Sequence, residues 1–132
     1  MGRPEKDEYF LNIAEEVAKR STCIRRQYGA VIVKNDVIVS TGYNGAPRGA
    51  ENCCDAGTCW REENNIPHGE RYEMCQAVHA EANAIINANR ADMVGAALYL
   101  VGIEDGRRVE NPTPCTICEK LIKNAQIRWV VS

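Results

Sequence analysis

The sequence predicts an α/β fold on a mixed central sheet, with elements in the order α-β-β-α-β-α-β forming a single domain over residues 1–132. Three observations carry this. Apolar residues recur at helical spacing through positions 10–18, two strand-like runs follow across a short polar break, and the second half alternates helical and extended patterns. At 132 residues and 45% apolar composition, the chain is long enough for one compact core and short for two ordinary domains.

The elements can be justified in order. Pro4 with Glu5, Asp7 and Glu8 reads as a first helical turn, since Pro is tolerated at the first position and acids suit the positive end of the helix dipole. Phe10, Ile13, Ala14, Val17 and Ala18 then form one apolar face to bury on a sheet, and Lys19 and Arg20 suit the C-terminal end. Residues 29–33 and 37–41, separated by Lys34, Asn35 and Asp36, read as a hairpin of two well-buried strands. Residues 42–77 are polar and Gly-rich, and a loop of that length inside a compact domain calls for something other than a core to order it. Residues 79–91, with Ala82, Ile85 and Ile86 at helical spacing, predict a second helix, and 96–101 a strand. A polar insertion at 102–113 follows, with Glu104, Asp105, Arg107, Arg108 and Glu110 expected to face water. Pro114 opens a third helix and 127–131 closes as a strand, whose crossover connection favours parallel pairing. Trp129 is expected in the core or at an interface.

Charge and composition exclude several functions. Sixteen basic against 18 acidic residues leave a net charge of −2, and a pI near 5.7 argues against a surface made for gripping a nucleic acid polymer. No apolar stretch approaches the roughly 18 residues of a membrane span, and the polar start has no signal-peptide core, so a cytoplasmic protein without membrane contact is expected. Met1-Gly2 is not a myristoylation start, because position 6 is Lys rather than Ser or Thr. Seven cysteines, an odd number in a chain with no leader, fit metal ligation better than a disulfide framework.

The chemistry concentrates in two short motifs, His79-Ala80-Glu81 and Pro114-Cys115-Thr116-Ile117-Cys118. Cys115 and Cys118 lie three apart at a helix start, so both sulfurs emerge on one face and the helix N-terminus favours their thiolates. His79, at a second helix start, can bring an imidazole nitrogen to the same ion. These are three zinc ligands, with the Glu81 carboxylate left over. A structural zinc is usually closed by four protein ligands, whereas a catalytic one keeps a position open, so three ligands with a spare acid point to hydrolysis. A structural zinc closed by a fourth residue from elsewhere is the competing reading, and Glu81 beside the open position is the feature against it.

With these motifs the chain resembles the zinc cytidine deaminase superfamily, and within it the deoxycytidylate (dCMP) deaminases. The resemblance rests on residues 23–33 (CIRRQYGAVIV), 42–49 (GYNGAPRG), 79–85 (HAEANAI) and 114–118 (PCTIC). It implies the three-layer cytidine deaminase-like fold and hydrolysis of dCMP to dUMP and ammonia, supplying dUMP for thymidylate synthesis. Glu81 is then the acid–base residue that takes a proton from water, delivers it to ring N3 as hydroxide adds at C4, and helps protonate the departing amine. Asn44 is expected on the deoxyribose while also serving the Asn-Gly turn, and the backbone around Ala30 lines the base pocket. Arg26 and Arg48 are the phosphate candidates, although each alone also suits an ordinary solvated surface.

The resemblance further implies a second, structural zinc held by Cys23, Cys53 and Cys75, with Cys59 or His68 completing the tetrahedron and the site ordering the long loop. It implies a homo-oligomer, typically a hexamer, activated by dCTP with Mg²⁺ and inhibited by dTTP. Two features depart from the pattern. Many relatives pass almost directly from the third strand into P-C-x-x-C, and some continue past the last strand with residues that help cover the substrate. The enzymatic alternatives are a deaminase of free cytidine or of adenosine in tRNA, and the non-enzymatic one is a two-zinc binding module.

Overall fold

A computed structural model describes residues 2–23, 26–45 and 78–132. Helix α1 (Lys6–Ala18) begins after Glu5 and buries Phe10, Ala14 and Ala18, a stripe at i, i+4 and i+8. Strands β1 (Gln27–Lys34) and β2 (Val37–Tyr43) pair antiparallel across a two-residue turn. Asn35 and Asp36 both take left-handed conformations there (φ 52° and 64°), the geometry that matches strand twist in tight hairpins. Helices α2 (Ala80–Ile86) and α3 (Arg90–Met93) lead into β3 (Ala97–Glu104) and the two-residue β4 (Arg107–Arg108). Helix α4 (Thr116–Asn124) and β5 (Trp129–Val131) complete the described chain.

The sheet order is β2-β1-β3-β4, with β5 pairing β3. β1 lies at its centre, antiparallel to both neighbours, while β5 runs parallel to β3 as the α4 crossover requires. The sheet is therefore mixed. Its two faces are buried by different layers. On one, Phe10, Ala14 and Ala18 of α1 pack on Val31, Val33, Tyr99, Val101 and Ile103. On the other, Ala80 and Ala84 of α2 and Ile122 of α4 pack on Ala30, Ile32, Leu98 and Leu100. The result is the expected α/β/α sandwich.

Four expectations are corrected. β2 is an edge strand with Val37 64% and Ile38 37% exposed, so only one strand of the first hairpin is well buried. The helix expected over 79–91 stops at Ile86 and restarts at Arg90. Asn87 caps the first piece and extended Asn89 precedes the second, as befits residues whose side chains compete with helical backbone bonding. The insertion at 102–113 is in part sheet: β3 runs on to Glu104, and Asp105 and Gly106 (φ 53° and 75°) turn the chain into β4. Its charges are also less free than expected, since Arg108 bonds Glu15 and Asn12 of α1 and Glu104 pairs with Arg26. Finally, Trp129 is 55% exposed with Arg128 over its ring, which corrects the core half of its expectation and not the interface half.

Candidate metal centre and its surroundings

Two helix starts meet on the α2–α4 face of the sheet. His79 and Cys115 are not first-turn residues but the N-caps of α2 and α4, both in extended backbone conformation. Glu81 and Cys118 follow inside the first turns. The Cys115 sulfur accepts the Cys118 backbone N–H at 3.4 Å, so it occupies the place a Ser or Asp oxygen takes in an ordinary cap. His79 Nδ1 lies 3.3 Å from the sulfur of Cys115 and 3.3 Å from that of Cys118. All three donor atoms fall within 4.8 Å of one another, the one such group among the described residues.

These distances fit zinc. Tetrahedral bonds of about 2.3 Å to sulfur and about 2.0–2.1 Å to nitrogen set the sulfur–nitrogen separation at about 3.6 Å. The nitrogen facing both sulfurs is Nδ1, and two soft thiolates with one imidazole are a donor set that selects zinc over hard-oxygen cations.

Glu81 is 5% exposed, and its carboxyl lies close enough to the Cys118 thiol for the two to feel each other's charge. Burial pushes this carboxyl above the usual carboxylate range, and its own backbone N–H, followed by the neighbouring Cys118 thiol, offsets part of the rise. The Cys118 thiol is pushed up in turn, first by burial and then by the negative charge of Glu81 and of Cys115.

The other expected residues divide. Ala30 is fully buried in β1, packed with Ala80 and Ala84 of α2. Asn44 is 7% exposed, and its side chain is largely committed to the protein. Its Oδ1 accepts the Tyr28 N–H at 2.8 Å and the Ser21 hydroxyl, while Nδ2 donates to the Arg26 carbonyl at 2.9 Å. One amide hydrogen of Nδ2 is left for anything else. Arg26 directs Nε to Glu104 at 2.8 Å and Nη1 to the Tyr28 hydroxyl at 3.3 Å. Cys23 is a half-buried free thiol. Arg48, Cys53, Cys59, His68 and Cys75 lie outside the described residues.

Sequence reading overlooked Ser21, which holds Asn44 in place, and Asn83, which bonds α2 to β2. The signal for Asn83 was present. Glu81 apart, it is the one polar residue of the helix, and it lies between the buried Ala80 and Ala84.

Comparison with known proteins agrees with this geometry. Residues 4–132 match the family model "Cytidine and deoxycytidylate deaminase zinc-binding region". A deoxycytidylate deaminase of Mycobacterium phage D29 is 43% identical, the match covering 99% of this chain and 96% of that one. The deoxycytidylate deaminase of Schizosaccharomyces pombe is 38% identical over 98% of this chain, but the match spans only 37% of that protein's length. A crystal structure of the dCMP deaminase of cyanophage S-TIM5, in complex with dCMP and dUMP, superposes with a TM-score of 0.68 at 27% identity, covering 98% of this chain and 82% of that one. By its fold, its His/Cys/Cys cluster and this match along nearly its whole length, the chain belongs to the cytidine and deoxycytidylate deaminase zinc-binding family, whose members are zinc-dependent hydrolases.

Proposed function

We propose that this chain, acting as one domain, hydrolyses dCMP to dUMP and ammonia, with His79, Cys115 and Cys118 holding the zinc and Glu81 moving the protons. The observation that carries the reading is the buried Glu81 carboxyl beside a three-donor His/Cys/Cys cluster. A zinc held by three protein donors supplies a Lewis acid that brings a water's pKa from 15.7 toward about 7.

The protein's own groups do the rest. Glu81 takes one proton from water and delivers it to ring N3, where it stays, then takes the second proton from the hydroxyl added at C4 and delivers it to the departing amine as the C4–N bond breaks, a task suited to a carboxyl held above its ordinary range by burial. The β1 backbone at Ala30 forms the floor of the base pocket, since it lies under α2 on the same sheet face. Asn44 offers its one remaining amide hydrogen to the deoxyribose. Its other bonds make it a rigid donor whose direction is set before substrate arrives. Arg26 and Arg48 bind the phosphate, Arg26 by exchanging Glu104 for phosphate oxygens.

The dCMP assignment is supported by the relatives that carry that name and by the cyanophage enzyme crystallised with dCMP and dUMP. The same kinship supports a second zinc using Cys23, Cys53, Cys59 and Cys75, with His68 as an alternative ligand. It also supports a cytoplasmic homo-oligomer, activated by dCTP with Mg²⁺ and inhibited by dTTP, that supplies dUMP for thymidylate synthesis.

The test is ammonia release by the zinc-loaded protein on dCMP, dCTP, cytidine and an adenosine-containing tRNA stem-loop, with and without dCTP and Mg²⁺. Release from dCMP well above the others is expected. Release only from the stem-loop or cytidine overturns the substrate, and release from none overturns the enzyme reading in favour of a zinc-binding module.

A further inference from the structure

Among the described residues the outer edge of β2 is paired with no other strand, because β2 ends the sheet order β2-β1-β3-β4. The outward backbone groups of β2 and of Gly45 just beyond it are nonetheless used, one after another, by α2 and the residues that flank it, Val78 and Asn87. Gly45 exchanges two backbone bonds with Val78, at 3.1 and 2.6 Å. Asn83 Nδ2 donates to the Tyr43 carbonyl at 2.8 Å, and Asn87 Nδ2 donates to the Thr41 carbonyl at 3.0 Å. Positions 41, 43 and 45 all point the same way from a strand, so these bonds form one continuous series along the edge.

The spacing is commensurate. Four residues of helix rise about 6 Å, and two residues of strand advance about 6.7 Å. Asparagines at i and i+4 of a helix can therefore reach alternate carbonyls of a strand edge when the two run antiparallel, as 83 to 43 and 87 to 41 do.

The apolar α2–sheet contacts hold depth rather than position along the strand. Gly42 lets the helix backbone lie directly on the sheet, since a Cβ there would stand 2.3 Å from Ala84 N. The buried α2 side chains on that face are those of Ala80 and Ala84, small and smooth. A surface of Ala on Gly resists sliding weakly, and one further bond, Ser40 Oγ to the Ala84 carbonyl at 2.8 Å, fastens the middle of the helix.

We infer that Asn83 and Asn87 are positioning residues for the reaction. They set how far α2 is slid along β2, and so where His79 and Glu81 stand against Cys115 and Cys118 on α4. The inference rests on the proposed deamination for its kinetic readout, but its structural content concerns the metal ligand itself. Residues that orient metal ligands from outside typically matter by 10- to 100-fold in affinity or activity.

The test uses Asn83→Ala, Asn87→Ala and the double variant of the full chain, each with its zinc content and thermal midpoint measured, and Tyr99→Phe as a control that loses a hydrogen bond on the opposite sheet face. In molecules that are folded and zinc-loaded to the parent's level, the double variant is expected to lose kcat on dCMP by about tenfold or more, with KM within twofold. Tyr99→Phe is expected to keep kcat. A second readout needs no substrate. With Co²⁺ in place of zinc, the visible absorption of the thiolate–imidazole site is expected to shift in the double variant and not in Tyr99→Phe. If Asn83→Ala does not fold, Asn87→Ala at the exposed end of the helix carries both readouts. A kcat within twofold of the parent's, or a Co²⁺ spectrum superimposable on it, overturns the inference. A parent that releases no ammonia from dCMP overturns the proposed reaction instead, and the Co²⁺ spectrum still decides the register.

Discussion

Replacing Gly42 by alanine should uncouple catalysis from the rest of the fold. The added Cβ would lie 2.3 Å from Ala84 N, 2.5 Å from the Ala80 carbonyl oxygen and 2.8 Å from Asn83 C. All three are backbone atoms, so no side chain can rotate away, and the helix must rise by about 1 Å to restore ordinary contact distances near 3.5 Å. Overpacking of this kind costs about 1–3 kcal/mol. The same lift stretches the 2.8 Å bonds from Asn83 to Tyr43 and from Ser40 to Ala84 beyond useful length, at about 1 kcal/mol each. The loss of about 3–5 kcal/mol would consume much of a stability of about 5–15 kcal/mol without unfolding every molecule. A 1 Å displacement of Glu81 should lower kcat by about 10²-fold.

Gly29→Ala is the matched perturbation. Its Cβ would meet Ala14 O at 2.1 Å and Ala18 N at 2.5 Å, against α1 on the other face. Urea unfolding and kcat per zinc-loaded site, measured at a temperature where both variants are folded, compare the two. Both should be destabilised to a similar degree, and only Gly42→Ala should lose kcat beyond a few-fold. Equal losses of kcat in the two, or parental stability in Gly42→Ala, would refute the reasoning.

Three further outcomes follow from the same geometry. Burial, with the hydrogen bond to Asp7, pushes the Tyr99 phenol up to about 12, so its contribution is intact below about pH 10 and is lost as pH rises toward 12. Unfolding free energies from urea titrations at pH 8 to 11.5 should fall by roughly 2 kcal/mol more in the parent than in Tyr99→Phe, and parallel curves would contradict this. Because burial and nearby charge hold the Cys118 thiol well above its ordinary range, zinc must displace a proton to bind. Zinc affinity by chelator competition should weaken from pH 8 to 6 by about tenfold per unit for each proton displaced, and a flat profile would mean the Cys118 thiol was already ionised. If Arg26 serves the phosphate, Arg26→Ala should raise KM for dCMP by about tenfold or more and leave deoxycytidine turnover unchanged, whereas equal effects on both would assign Arg26 to structure alone.

The layers and the metal cluster were legible in the sequence for definite reasons. Phe10, Ala14 and Ala18 lie at helical spacing, and that stripe is what α1 buries. The parallel pairing of β5 followed from its crossover, because a tight turn cannot join parallel strands. His79, Cys115 and Cys118 were readable because zinc demands few residue types at constrained spacing.

What was missed depends on partners distant in sequence. Exposure of β2 reflects its edge position, which its apolar residues 37–39 do not reveal. Arg108 was taken as a solvated charge, but the Asp105–Gly106 turn brings it back onto Glu15, 93 positions away. Asp-Gly is itself a hairpin signal, and it was overlooked because the surrounding charges read as an insertion. The break at Asn87 was likewise encoded, in an Asn-Ala-Asn run whose side chains favour caps over helix interior.

The central claim is that Glu81 moves the protons of a dCMP hydrolysis at a zinc it does not itself hold. The most direct measurement is ammonia and dUMP release from dCMP by Glu81→Gln, with zinc content determined on the same sample. Zinc at the parent's level with turnover reduced to background is the predicted result. Turnover comparable to the parent's would contradict the account, and so would loss of zinc in step with activity, which would make Glu81 a ligand.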